Sequence, residues 1–235
     1  MNGFADELST AVTMIAGMDR KLVDIITLSL RVSLSAVGIA ALIGMPFGAV
    51  LALAHFPGRR TLTVLFNMLM GLPPVVVGLV VYLFLSRSGP LGVFGLLFTP
   101  TAMIIAQVIL VLPILVSITR ETIEPLSKEY HETFSSLGTR PHQALGALLW
   151  DGRFMLVTAL LAGFGRATAE VGAVMIVGGN IDHVTRVMTT AIALESSKGN
   201  LALALGLGII LISLSLAINI AVYGVRVVGE TRGAH

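Results

Sequence analysis

The chain has 235 residues, of which 55% are hydrophobic and 12% charged, with a mean hydropathy of +0.93 and a formal net charge of +2. A charged share about half the roughly 25% of soluble domains excludes an ordinary soluble fold. The small net charge gives no reason to expect a nucleic-acid partner, and the absence of cysteine removes disulfides, thiolate metal sites and cysteine nucleophiles.

The start, "MNGFADELSTAV", carries Asp6 and Glu7 where a cleavable signal peptide would be basic, so none is expected. The apolar patch at 8–18 is too short to cross a membrane; it lies at the interface or packs on a bundle. Longer runs follow. Residues 32–54, 61–86, 88–119 and 199–225 contain no Asp, Glu, Lys or Arg, and 154–181 contains only Arg166 and Glu170. A span needs about 20 mostly apolar residues, because a helix rises about 1.5 Å per residue through roughly 30 Å of hydrocarbon. Five transmembrane helices are predicted, at about 23–55, 62–86, 100–119, 154–178 and 200–226. The fold class is an all-α, polytopic membrane bundle, one transmembrane domain over 1–235. The first helix exceeds what a bilayer requires, so tilt or a bend at "GMPFG" (44–48) is expected.

Orientation follows the Lys/Arg balance of the flanks. One side holds Arg59, Arg60, Arg120, Lys128, Arg140, Arg153, Arg226 and Arg232; the other holds Arg20, Lys21, Arg87, Arg186 and Lys198. The richer side is assigned to the cytoplasm, which sets the N-terminus outside and the C-terminus inside. Segments 87–99 and 179–198 then become outer loops. Arg31, near the outer end of the first span, can snorkel to the headgroups.

The longest cytoplasmic loop, about 120–153, contains "YHETFSSLGTRPHQAL". Tyr130, Phe134 and Leu137 recur at i, i+4 and i+7 as one apolar stripe, with Glu132 opposite. Gly138 suits a left-handed helix ending. Thr139 can cap a second helix with Pro141 in its first turn, and Ala144, Leu145, Leu148 and Leu149 form its stripe. Two short helices about a glycine turn fit either a docking element or an amphipathic loop on the membrane, and spacing alone leaves both open.

Within the spans, "GLPP" (71–74) interrupts the second, because two prolines remove backbone donors. A kink or a break lining a pathway would satisfy the freed carbonyls. Arg166 and Glu170, four apart in the fourth span, are expected to pair and fix packing; the other reading offers Arg166 as a cation to a passing anion, with Glu170 neutralising it. The small-residue stretch "GAVMIVGG" (172–179) allows close helix approach. Pro73, Pro74, Val75 and Gly78, with Gly172, Gly178 and Gly179, are the candidates for a translocation pathway and gate.

Catalytic constellations do not emerge. His55, His131, His142, His183 and His235 have no ligand spacing, no P-loop is present, and "GFGRATAEVG" lies in a span instead of following a strand. The chain is not expected to be an enzyme or to bind a metal or cofactor.

Glu132-Thr133-Phe134 followed by Gly138 resembles the "EAA-x-x-x-G" coupling motif of permease subunits of bacterial ABC importers, with Thr133 and Phe134 in place of two alanines. "FPGRR" (56–60), "GLPPVVVGLVVYLFLSRSGPLG" (71–92) and "GFGRATAEVGAVMIVGGNI" (163–181) resemble the molybdate/tungstate branch, and "TRVMTTAIALESSKGNLALALGLGI" (185–209) is most similar to its tungstate-type members. The resemblance covers nearly the whole chain from about Leu22. It implies the ABC importer permease fold in a bacterial or archaeal cytoplasmic membrane, and ATP-driven import of a tetrahedral oxyanion, tungstate before molybdate, by alternating access. Implied partners are a second copy of the chain, two ATP-binding subunits holding ATP and Mg, an extracytoplasmic oxyanion-binding protein, and membrane lipid. Tyr130, Glu132, Thr133, Phe134, Leu137, Gly138, Ala144 and Leu145 would form the ATPase-coupling loop. The alternative from another class is an ATP-independent channel or secondary transporter.

Overall fold

A computed structural model describes residues 3–54, 56–139 and 141–233. The expected features at His55, Arg140 and His235 lie outside these residues, as do the side chains of Pro141, His142, Arg226 and Arg232. Among the described residues the regular structure is all helical, without a strand. In order these are α1 (Gly3–Ala16), α2 (Arg20–Leu53), α3 (Arg59–Met70), α4 (Pro74–Leu85), a 3-10 turn (Gly92–Phe94), α5 (Pro100–Glu129), α6 (His131–Ser136), α7 (Pro141–Asp151), α8 (Arg153–Thr168), α9 (Gly172–Gly178), α10 (Met188–Lys198) and α11 (Leu201–Gly233).

Three helices, α2, α5 and α11, are long and apolar enough to cross a membrane, and there are up to five spans if each of two bent pairs counts as one. The expected helix at 62–86 is two helices, α3 and α4, bent by 103° at the proline pair. The expected helix at 154–178 is also divided. α8 ends at Thr168, α9 starts at Gly172, and α7 meets α8 at a 70° bend around Gly152. The expected outer loop at 179–198 contains α10. α5 overruns its expected end at 119 by a further ten residues, to Glu129. Two i,i+4 pairs, Arg120 with Glu124 and Glu124 with Lys128, support the extension. Such pairs are worth roughly 0.2–0.5 kcal/mol each.

The chain divides into two compact units: Met1–Ala36, Pro73–Gln107 and Gly165–Ile218 form the first, and Val37–Leu72, Val108–Phe164 and Asn219–His235 the second. The core of the first gathers Leu22, Ile25, Met188, Ala191, Leu203 and Leu207, with Met14 and Ile15 of α1 packed against it. The 8–18 patch therefore packs on the bundle. Burial against lipid-like surroundings supplies little drive by itself, so hydrogen bonds and close packing matter more. The buried Ser29 hydroxyl accepts the Met188 N–H at 2.7 Å and ties α10 to α2.

In the second unit α2 runs through Pro46 without interruption. "GMPFG" serves packing there. A Cβ at Gly48 would stand 2.5 Å from the Val116 carbonyl oxygen, and one at Gly44 3.3 Å from Leu112 and Leu115. These glycines let α2 lie directly on α5. Buried Ser117 of α5 donates to Asn67 of α3 at 3.0 Å. The "FPGRR" turn closes α2: Gly58 takes φ 92, and Arg59 donates from Nε to Leu51 O at 2.7 Å and from Nη2 to Ala52 O at 3.1 Å. A cation on the last carbonyls of a helix satisfies groups that have no partner within the helix.

Candidate functional site

The helix–turn–helix of the second unit is α6, Gly138 and α7. Gly138 has φ 61, its N–H donates to Ser135 O at 3.3 Å, and the Thr139 N–H donates to Phe134 O at 3.0 Å. That pair of bonds, around a left-handed residue, is a Schellman ending. The Thr139 hydroxyl also donates to Phe134 O, at 2.9 Å. Thr139 thus closes α6; the start of α7 that it was expected to cap adjoins Arg140, which lies outside the described residues.

One face of this element packs inward. Tyr130, Phe134, Leu145 and Leu149 lie on the buried cluster of Ala49, Ala52, Ile123 and Leu148. The Tyr130 and Phe134 ring centroids are 5.8 Å apart. The Tyr130 hydroxyl donates to Asp151 Oδ2 at 3.1 Å, and this bond to a carboxylate holds its phenol above the ordinary pKa. Ala144 is half-buried. Leu137 leaves the expected stripe: α6 has ended at Ser136, and Leu137 is 74% exposed. It joins Glu132 and Thr133 on the outer face. Trp150, 71% exposed with the Arg153 guanidinium 4.8 Å over its ring, was not singled out in the sequence. The available signal was a lone tryptophan placed off the Leu145–Leu148–Leu149 stripe.

In the first unit, Pro73 (φ −62, ψ 122) precedes α4 and Pro74 occupies its first turn, where the missing N–H costs nothing. α4 packs closely on α9. A Cβ at Gly78 would come 2.7 Å from the Ala173 Cα, and one at Gly172 2.7 Å from Val75 Cγ2. Val75 is itself 56% exposed. Gly178 packs on Met103 and Thr185; Gly179, at φ 70, ends α9 against Phe98. The second unit contributes none of these pathway candidates.

Arg166 and Glu170 pair at 3.1 Å, although Glu170 lies beyond the end of α8. Glu170 is buried and multiply engaged: Oε2 accepts from Arg166, Oε1 accepts the Ala173 N–H at 3.1 Å, and its carbonyl accepts the Thr189 hydroxyl at 2.8 Å. Gln107 Nε2 donates to Ala167 O at 3.0 Å. Side chains thereby satisfy the backbone that the break releases, as a low-dielectric setting demands. The cavity beside them, lined by Ser29, Ser33, Gln107, Glu170 and Thr189 among others, measures about 10 Å³. It has room for about one water and not for a tetrahedral oxyanion. Gln107 and Thr189 were not predicted, because neutral polar residues leave no mark in hydropathy.

A larger open cavity of the first unit, about 330 Å³, is lined by Lys21, Asp24, Asp182, His183 and Arg186 among others. Arg186 pairs with Asp182 at 2.7 Å and with buried Glu195 at 4.0 Å. Burial pushes the Glu195 carboxyl up, but hydrogen bonds from Asn200 and Lys198, with the charges of Lys198 and Lys21, bring it below its ordinary pKa.

The family described as "Binding-protein-dependent transport system inner membrane component" matches residues 44–227. The "Probable anion ABC transporter permease protein" of Haloferax volcanii is 46% identical over 186 residues, covering 77% of this chain and 80% of that protein. The "Tungstate uptake system permease protein TupB" of Peptoclostridium acidaminophilum is 38% identical over 226 residues, 96% of this chain and 99% of that one. Its namesake in Campylobacter jejuni is 40% identical over 148 residues, 63% and 62% of the two chains. The chain belongs to this family of membrane permease components and is a multi-pass membrane protein. Its relatives are transport subunits, and the family is defined by work with a binding protein.

Proposed function

We propose that this chain is the transmembrane subunit of an ATP-driven importer of a tetrahedral oxyanion, tungstate in the first place. The observation that carries the reading is the near end-to-end similarity to a tungstate permease, 96% of this chain against 99% of the other. In this reading two copies sit together in a bacterial or archaeal cytoplasmic membrane, N-terminus out and C-terminus in. A separate ATP-binding subunit, carrying ATP and Mg, docks on each α6–α7 element. Its contacts are Glu132, Thr133, Leu137 and Trp150 on the outer face. Tyr130, Phe134, Ala144 and Leu145 secure the element from behind, and Gly138 sets its turn. A loaded binding protein engages the opposite surface, near Asp182 and Arg186.

Alternating access needs a bundle with two packings, each favoured by a ligand at one end. ATP closing the partner subunits draws the docked elements together and opens the pathway outward; hydrolysis reverses it. The α4–α9 pair, from Pro73 to Gly78 and from Gly172 to Gly179, lines that pathway. Arg166 and Glu170 pin the break between α8 and α9 and do not hold the anion, because the carboxylate already neutralises the guanidinium.

The test is uptake by the permease reconstituted with a partner ATPase and an oxyanion-binding protein from the same organism. Tungstate should accumulate only with ATP inside and binding protein outside, and should outcompete molybdate and sulfate. Uptake that ignores ATP would transfer the chain to the channel class; a preference for molybdate would overturn the substrate.

A further inference from the structure

The second unit holds a cavity that the transport reading leaves unused. It measures about 210 Å³ and is lined by Arg59, Arg60, Thr63, Arg120 and Glu124. Three arginines line it against one glutamate. That carboxylate is already committed: Glu124 Oε1 takes Arg59 Nη2 at 3.2 Å, and Oε2 takes Arg120 Nη1 at 3.1 Å. Lys128 adds a fourth cation 3.7 Å from Oε1. Arg60 is exposed and makes no ion pair among the described residues. Arg120 Nε is a buried donor without a partner among them.

Arginine forks match the oxygens of a tetrahedral anion, and a desolvated donor left open is costly unless something accepts from it. The depth of the site narrows the ligand further. Arg59 and Arg60 immediately precede the uncharged run at 61–86, and Arg120 immediately follows the one at 88–119. Both places are where an apolar span meets the headgroup layer, and basic pockets there attract anionic lipids.

We infer that this cavity binds the tetrahedral oxyanion of a phosphate group, held by Arg60 and Arg120 while Arg59 and Glu124 keep the frame. Two sources carry that chemistry: the headgroup phosphate of an anionic lipid, and a free inorganic oxyanion on the same side of the membrane. Under the orientation proposed above, that side is the cytoplasmic one.

The full chain, purified in a neutral detergent, is followed by thermal unfolding in two arms. One titrates phosphatidylglycerol against phosphatidylcholine in mixed micelles. The other titrates phosphate and tungstate against chloride at matched ionic strength. A ligand bound only by the folded state raises the melting temperature saturably. We expect such a rise in at least one arm, and the arm identifies the source. Arg60→Gln should weaken the apparent affinity about fivefold, the share of one arginine at such a surface. Arg60→Gln with Arg120→Gln should abolish the rise, while Arg87→Gln leaves it intact. Arg60 is exposed and makes no hydrogen bond or ion pair among the described residues, so the single variant decides the matter even if the double variant folds poorly. The inference is overturned if neither arm exceeds its control, or if Arg60→Gln binds like the parent chain. The titration reads binding to the permease alone, so it can fail while oxyanion uptake succeeds, and the reverse.

Discussion

Glu170 shows how a single side chain can hold a broken helix together. It pairs with Arg166 and also accepts the Ala173 N–H, so its two oxygens serve α8 and α9 at once. Removing Arg166 strands a buried carboxylate; removing Glu170 strands a partly exposed guanidinium and one backbone donor. A thermal-stability cycle of Arg166→Ala, Glu170→Ala and the double variant should give a coupling of about 1–3 kcal/mol, with Arg166→Ala the costlier single change because it leaves the buried charge unpaired. Strict additivity would mean that the pair contributes nothing. The contact was legible from the i,i+4 spacing, but for a reason that proved incomplete. The spacing assumes a continuous helix, whereas α8 stops at Thr168 and the contact is made across the turn that follows. The partners of the released carbonyls, Gln107 and Thr189, come from distant stretches of chain, and no local pattern announces them.

Gly138 sets the geometry between two elements. Its left-handed backbone ends α6, and a Cβ there would meet nothing within 4 Å, so strain is the whole cost of substitution. That strain is roughly 1–2 kcal/mol for most residues and less for asparagine. Gly138→Asn should retain most ATP-driven uptake and Gly138→Val should lose most of it, with both variants inserted in the membrane at parental levels. Parental transport by the valine variant would defeat the docking role. Helix boundaries were less legible than helix existence. Hydropathy marks where lipid is, so it found α2 and α11 but ended α5 at 119, where the charges begin. It also could not show α10, whose buried face is Met188, Thr189, Thr190, Ala191 and Glu195 and so presents no apolar stripe.

At the scale of the whole molecule, the number of apolar runs was legible because a bilayer demands length, and a helix without charge over that length has few other uses. Sidedness rests on eight cations against five. The chain contains no cysteine, so single introduced thiols report it cleanly. In intact cells a membrane-impermeant maleimide should label Val93→Cys, in the exposed 3-10 turn, and should spare Ser136→Cys on α6 until the membrane is opened. The opposite pattern would invert the topology and leave the α6–α7 element out of reach of any ATPase.

α6 has six residues, far fewer than the roughly 12–15 an isolated helix needs to persist in water. It stands because Tyr130 and Phe134 lean on the cluster behind it. Load would pass through that arrangement unequally. A partner pressing on the outer face drives two aromatic rings into packed side chains, which resist compression. A partner pulling away from α6 is opposed by dispersion contacts, the chain itself and, among the described residues, the hydrogen bond from Tyr130 to Asp151. The element is built as a strut more than as a cable, so under the proposed docking the stroke it would carry most faithfully is the push.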